Sequence, residues 1–197
     1  MQFTATGVVP QVSRCLTLEP KVAGDLVYVL GSTGNELGGS EYYDLMGEVG
    51  LNVPTVEPRG SLKLYKALEG AISDGLLASC HGIYRGGLAV HAAMAAFASS
   101  FGMTLDLEHV PQKECAAGGF RDDQLLFSET CGRFLVTVSP ACRAAFEARF
   151  QGLPCARVGE VTQDPRLVIR GQKGDILVEE SLASLKRSWK QGNPAAE

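Results

Sequence analysis

The stretch Leu26-Val-Tyr-Val-Leu-Gly-Ser-Thr-Gly-Asn-Glu-Leu-Gly-Gly-Ser40 decides the fold class. Five apolar residues in succession, Leu26–Leu30, follow the turn pair Gly24-Asp25 and predict a strand covered on both faces. Gly31–Gly39 then reads as a glycine-rich loop, and Ser40 opens a short helix, Glu41–Met46. The same order recurs further on. Leu76–His81 predicts a strand, Gly82-Ile-Tyr-Arg-Gly-Gly87 a loop, and Leu88–Ser99 a helix of small apolar residues that needs burial against close neighbours.

Working outward, Phe3–Val9 and Arg14–Leu18 have strand signals, and Leu51–Gly60, with Pro54 and Pro58, reads as a loop. Leu64, Leu68, Ala71 and Ile72 repeat at helical spacing and predict a helix over Leu62–Asp74, bracketed by Ser61 and Gly75. Met103–Leu107 alternates as a strand, and Pro111–Gly119 loses all pattern. Phe134–Val138 is a strand, after which Ser139 and Pro140 begin a helix that runs to Phe150 and stops at Gly152. Ala156–Val161 and Leu167–Ile169 are strands, and Leu182, Leu185 and Trp189 mark a final amphipathic helix. Strands alternating with helices, and antiparallel hairpins near both ends, indicate an α/β (α+β) mixed sheet covered by helices. Phe134–Val161 would be a split, ferredoxin-like βαβ unit. Residues 1–190 are expected to form one domain, with 191–197 as a flexible tail.

Composition narrows the function. Apolar residues are 45% and charged residues 20% of 197, a globular balance. The net charge of −4 argues against a nucleic-acid partner, which would need a basic field. No apolar run approaches the roughly 20 residues that span a bilayer, and the first residues lack the pattern of a signal peptide. A cytoplasmic protein without membrane partners is therefore expected. Cys15, Cys80, Cys115, Cys131, Cys142 and Cys155 are scattered and form no metal or disulfide framework, so free, mostly buried thiols are expected. Glycine is abundant, 23 residues, which implies several places of close backbone approach.

Three stretches have the form of a ligand site. In Gly31–Ser40, a loop before a helix start can aim backbone N–H groups at an anion, with Gly38, Gly39 and Ser40 as candidates. It is neither a Walker A loop nor a GxGxxG turn; a plain turn is the alternative, and Glu41 would repel a phosphate unless it points away or meets a metal. In the second, Gly86 and Gly87 either cradle a phosphate or let a buried helix start close to the sheet. His81 is a candidate acid, base or phosphate partner, or else a buried hydrogen-bonded histidine. His91 reads as satisfied core and His109 as surface. The third stretch offers Glu129, Thr130 and Arg133, which can bind a polar substrate or tie down a turn through a Glu129–Arg133 pair. Cys131 has no neighbouring base that would make it a nucleophile.

Taken together, LVYVLGSTGNELGGSEYYDLMG, SCHGIYRGGLAVHAAMAAFASSFG, DDQLLFSETCGRFLVTV and ARVGEV, with the closing Leu-x-x-x-Trp helix, occur in an order that resembles one family. It is the C-terminal domain, in its second copy, of the phosphoribosylformylglycinamidine synthase large subunit. The domain type is shared with aminoimidazole ribonucleotide synthetase and selenophosphate synthetase. The resemblance covers Thr4 to Trp189 and implies a three-layer α/β/α domain with partly ferredoxin-like topology. It also implies a purine-biosynthesis ligase that uses ATP and Mg²⁺ to activate the amide oxygen of formylglycinamide ribonucleotide for displacement by glutamine-derived ammonia. Its partners would be an N-terminal ATP-handling domain of the same protein and a glutamine amidotransferase, with a homodimer as a further option.

The chain has no room for that N-terminal domain, where the family keeps its main ATP and Mg²⁺ ligands and its catalytic histidine. It is expected to be inactive alone, to hold no cofactor tightly, and to contain no catalytic residue or metal ligand. The family's His-Asp-x-Ser-x-Gly-Gly-Leu reads here His81-Gly82-Ile83-Tyr84-Arg85-Gly86-Gly87-Leu88, so a hard oxygen ligand for Mg²⁺ is missing at Gly82. The usual Glu-Ser-Gln-x-x-Arg-like turn has Thr130 and Cys131 after Glu129. Alternatives are a stand-alone binding or assembly module that kept the fold, and another ligase of the same superfamily.

Overall fold

Leu26–Leu30 (β1) is buried at every position and lies in the middle of the sheet. The computed structural model describes residues 4–9, 11–114 and 119–191. After β1 come a one-turn helix Glu41–Leu45 (α1), Pro58–Ser73 (α2), Ser79–Ile83 (β2), Gly87–Phe97 (α3) and Gly102–Asp106 (β3). Asp122–Phe127 (α4), Arg133–Val138 (β4), Arg143–Arg149 (α5), Cys155–Thr162 (β5), Arg166–Arg170 (β6), Ile176–Ser181 (β7) and Leu182–Gln191 (α6) complete the chain. The seven strands form one sheet in the order β2-β4-β1-β5-β3-β6-β7, and every pairing except β3–β6 is antiparallel.

Two crossovers interleave at its centre. β4 lies between β1 and β2, the strands that α2 joins; β1 lies between β4 and β5, the strands that α5 joins. The second is the split βαβ unit expected from Phe134 to Val161, and with the first it makes a ferredoxin-like core. The alternation along β1 sorts the two faces. Leu26, Tyr28 and Leu30 pack with Leu64, Leu68 and Ala71 of α2 and Phe146 and Phe150 at α5. Val27 and Val29 belong to the other core, with Leu88, Ala92 and Ala96 of α3, Leu125 of α4 and Leu182 of α6. Helices therefore cover both faces, giving the three α/β/α layers.

The structure departs from the sequence reading at identifiable places. Residues 4–9 form no strand and are exposed, Phe3 lies outside the described residues, and Val12–Arg14 is a 3-10 turn. Thr17 meets the sheet edge there by accepting a bond from the Cys80 N–H (3.1 Å), and no N-terminal hairpin forms among the described residues. The hairpin at the other end is β6–β7, around Gly171–Asp175. β7 is exposed almost throughout and ends in Glu179, Glu180 and Ser181; as a charged edge strand it carries no burial alternation to read. α2 begins at Pro58, not after Ser61, because the Glu57 carboxylate caps it by accepting from the Arg59 and Gly60 N–H groups. The helix after Ser139 splits into a 3-10 turn, Pro140–Cys142, and α5. The chain after Gln191 and residues 115–118 of the expected loop, including Cys115, lie outside the described residues. Of the described thiols, Cys15 and Cys131 are exposed while Cys80, Cys142 and Cys155 are half-buried, so the expectation of mostly buried thiols is corrected.

α3 starts against the end of α4, and this contact sets a backbone demand at Gly87. Its φ is +72°, and a Cβ there would lie 2.6 Å from the Phe127 Cα. Gly39 has a similar φ of +68° but open space around it. Gly87→Ala is therefore expected to cost well over the ~1 kcal/mol of a left-handed alanine, whereas Gly39→Ala costs about that alone; urea unfolding midpoints at constant m-value will separate them.

Candidate functional site

β1 and β2 run in the same direction, since each is antiparallel to β4, so their carboxyl ends lie at one end of the sheet. Both glycine corners are there, and the Ser128–Arg133 turn that leads into β4 runs between them. The turn grips the first corner through its hydroxyls. Ser128 Oγ donates to the Gly34 carbonyl (2.6 Å) and accepts from the Glu36 N–H (3.0 Å), and Thr130 Oγ1 accepts from the Gly34 N–H (2.9 Å). Arg133, 1% exposed, donates through Nη1 to Thr33 Oγ1 (2.9 Å), through Nε to the Thr130 carbonyl (3.1 Å), and through Nη2 to the Ser128 carbonyl. Burial pulls its pKa down to about 10, and the negative charge of Glu36 works against that shift.

Glu36 is buried inside the same corner. Its Oε1 takes hydrogen bonds from Lys113 Nζ (2.9 Å) and from the Thr55 hydroxyl (2.8 Å). Thr33 pairs with the Gln112 segment through its N–H to Pro111 (2.7 Å) and its carbonyl from Lys113 (2.8 Å). Sequence reading missed these partners, because Lys113 and Thr55 come from loops without pattern and only the fold brings them to Glu36.

Glu129 joins the two corners. Its Oε1 accepts from the Glu41 N–H at the start of α1 (3.0 Å) and from the Gly86 N–H at the start of α3 (2.8 Å). Glu41 and Arg85, one from each corner, also form an ion pair. The expected Glu129–Arg133 pair is replaced by this arrangement: the carboxylate points to helix starts while the guanidinium serves carbonyls and a threonine. Several other loop N–H groups are committed as well. Gly38 donates to Asn52 O (2.8 Å), Gly39 to Val49 O (2.7 Å), Ser40 to Leu37 O (3.1 Å) and Gly87 to Tyr84 O (3.0 Å), and Ser40 Oγ caps α1 by accepting from the Tyr43 N–H.

The histidines support the second corner from below. His91 Nε2 lies 3.2 Å from the Arg85 carbonyl, which can only accept, so Nε2 carries the hydrogen. Nδ1 then accepts from His81 Nε2 at 2.9 Å. Burial lowers both pKa values, that of His91 to about 4, with the neighbouring His81 adding to the shift. His91 is thus the satisfied core residue expected, His81 is its hydrogen-bonded partner, and His109 is exposed. Tyr84 stacks edge-on to both rings and lies over Gly82, where a Cβ would meet its hydroxyl oxygen at 2.0 Å.

Between the corners is a cavity of about 270 Å³ lined by Gly39, Ser40, Glu41, Asp44, Glu48, Val49 and Arg85. Its charged groups are three carboxylates and one guanidinium. A bare polyphosphate would find these N–H groups already bonded and a net negative wall, so the space does not suit it without a bridging cation.

Glu129→Ala leaves two N–H groups without their acceptor and is expected to cost about 2–3 kcal/mol, with faster amide exchange at Glu41 and Gly86; Glu129→Gln, which keeps an acceptor oxygen, costs less. Because His91 has a lower pKa folded than unfolded, the unfolded chain binds more protons between about pH 6.5 and pH 4. Stability therefore falls as the pH drops through that window, by on the order of 2 kcal/mol, and His91→Gln flattens the fall in pH-dependent urea titrations.

The model of the family described as AIR synthase related protein, C-terminal domain, matches residues 22–172. The phosphoribosylformylglycinamidine synthase subunit PurL of Limosilactobacillus fermentum is 32% identical over 189 residues, covering 95% of this chain and 24% of its own length. The same subunit of Methanothrix thermoacetophila is 34% identical over 194 residues, covering 96% and 24%. The chain thus spans about a quarter of the curated relatives it matches. Thermotoga maritima PurL complexed with FGAR superposes with a TM-score of 0.77 at 19% identity, over 88% of this chain and 30% of that one; its ATP complex gives 0.71 at 19%, over 88% and 27%. These last two likenesses concern the fold. Together with the two glycine corners in their expected order, the match across most of the sequence places the chain in the family of AIR synthase related protein C-terminal domains.

Proposed function

We propose that this chain serves as the C-terminal domain of a phosphoribosylformylglycinamidine synthase large subunit, an ATP-dependent carbon–nitrogen ligase of purine biosynthesis, and that it supplies wall and assembly surface, not reacting groups. The similarity over about 95% of the chain to two PurL subunits supports the assignment. The observation that carries the supporting role is Glu129. Its carboxylate already holds the two N–H groups, of Glu41 and Gly86, with which the corners could have met a phosphate. ATP and Mg²⁺ would then be bound elsewhere in a full-length enzyme. Gly38, Gly39, Ser40, His81, Gly86, Gly87, Glu129, Thr130 and Arg133 shape the rim of this domain.

An assembly face lies beside the first corner. Leu45, Met46, Val49, Leu51, Val53 and Val56 are all exposed, Leu51 at 96%, within one short segment. On this reading the segment is covered by the N-terminal ATP-handling domain of the same protein, a glutamine amidotransferase completes the assembly, and in isolation the face favours pairing with a second copy. No helix among the described residues is long and apolar enough to cross a membrane.

The chain alone, given formylglycinamide ribonucleotide, Mg-ATP and either glutamine or ammonium, is expected to yield no product, and calorimetric titration with Mg-ATP to give no saturable heat at micromolar concentrations. Turnover, or micromolar nucleotide binding, would overturn the supporting role.

A further inference from the structure

The third strand that points the same way as β1 and β2 also ends in chemistry. β3 is antiparallel to β5, as β1 is, so its carboxyl end, Asp106, lies at the end of the sheet that carries the glycine corners. The chain there turns through a 3-10 segment, Leu107–His109, in which the Glu108 N–H donates to Asp106 Oδ1 (3.0 Å). That bond tightens the turn, and ligand atoms from Asp106, Glu108 and His109 come within 4.8 Å of one another. Asp106 and His109 line a cavity of about 380 Å³ with Arg157, Val158 and Gly159 of β5. Arg157 has partners of its own, the Gly159 carbonyl (3.4 Å) and the Glu160 carboxylate (3.5 Å).

We propose that Asp106, Glu108 and His109 form a binding site for a divalent transition-metal ion of the zinc type, independent of the glycine corners. One imidazole nitrogen with two carboxylates is a donor set suited to Zn²⁺, Co²⁺ or Ni²⁺, whereas Mg²⁺ and Ca²⁺ take oxygen ligands almost exclusively. An ion about 2.1 Å from each donor needs them roughly 4 Å apart or less. Glu108 and His109 are exposed and free to rotate through that small closure, and the cavity leaves room for water in the open positions. The bond from the Glu108 N–H orients the Asp106 carboxylate and leaves its other oxygen for the ion. The site also has a route to the first corner: residues 110–113 follow His109 directly and bond to Thr33 on both sides. A metal at the turn would therefore stiffen the segment that delivers Lys113 to Glu36.

Titration of the metal-free chain with ZnCl₂, followed by calorimetry and by thermal unfolding, tests the site. One equivalent should bind with micromolar or tighter affinity and raise the melting temperature, and millimolar MgCl₂ should not compete. His109→Ala and Asp106→Asn should each weaken Zn²⁺ by roughly tenfold or more and abolish the thermal shift, with unchanged circular dichroism. Cys131→Ser should bind as the parent does. Absence of saturable binding, unaltered binding by His109→Ala, or loss of binding in Cys131→Ser would each overturn the proposal.

Discussion

A single carboxylate oxygen holds the working end of the sheet together. Glu129 Oε1 accepts from the first N–H of α1 and from the N–H that precedes α3, two groups that have no partner within their own helices. The negative charge also suits the positive end of α3. Without this bond the Gly31–Ser40 loop and the Tyr84–Gly87 loop would be two separate turns after strands that β4 keeps apart. With it they are one surface, and the Glu41–Arg85 ion pair spans the same join. The carboxylate can hold that position because the turn carrying it is itself fixed, by Ser128, Thr130 and the buried guanidinium of Arg133.

This economy explains a chemical character that the glycine content alone does not reveal. Glycine loops invite an anion because their N–H groups are open to it. Here many of those groups, among them the N–H groups of Gly34, Glu36, Gly38, Gly39, Glu41, Gly86 and Gly87, bond to the protein's own acceptors, and the charged lining of the space between the loops is mostly acidic. The glycine-loop architecture is therefore combined with a mostly acidic lining. Beside this join the chain carries an exposed apolar run, Leu45 to Val56.

Much of this was legible in the sequence, for physical reasons that differ between elements. β1 announced itself because a strand buried on both faces has to be apolar at every position. α3 did so because only small residues permit its close approach to neighbours. The split crossover around Phe134–Val161 followed from a clear strand, a capped helix and a second strand in order. What escaped were elements whose signals are weak by nature. α4 is six residues long, and β7 is an edge strand whose side chains face water on nearly all sides. The candidate residues Glu129, Thr130 and Arg133 were found together, but their roles depended on contacts between chain segments 43 to 100 residues apart, which local spacing does not encode.

The ring of Tyr84 lying across Gly82 bears on how this surface could change over generations. A side chain at position 82 would have to occupy volume that the phenol already fills. A side chain at 82 and the present rotamer of Tyr84 are therefore mutually exclusive, and the exposed phenol would have to swing away to admit one. Any residue larger than glycine at 82 thus remodels the second corner's outer surface, because the phenol that now lies against the histidine pair would be displaced.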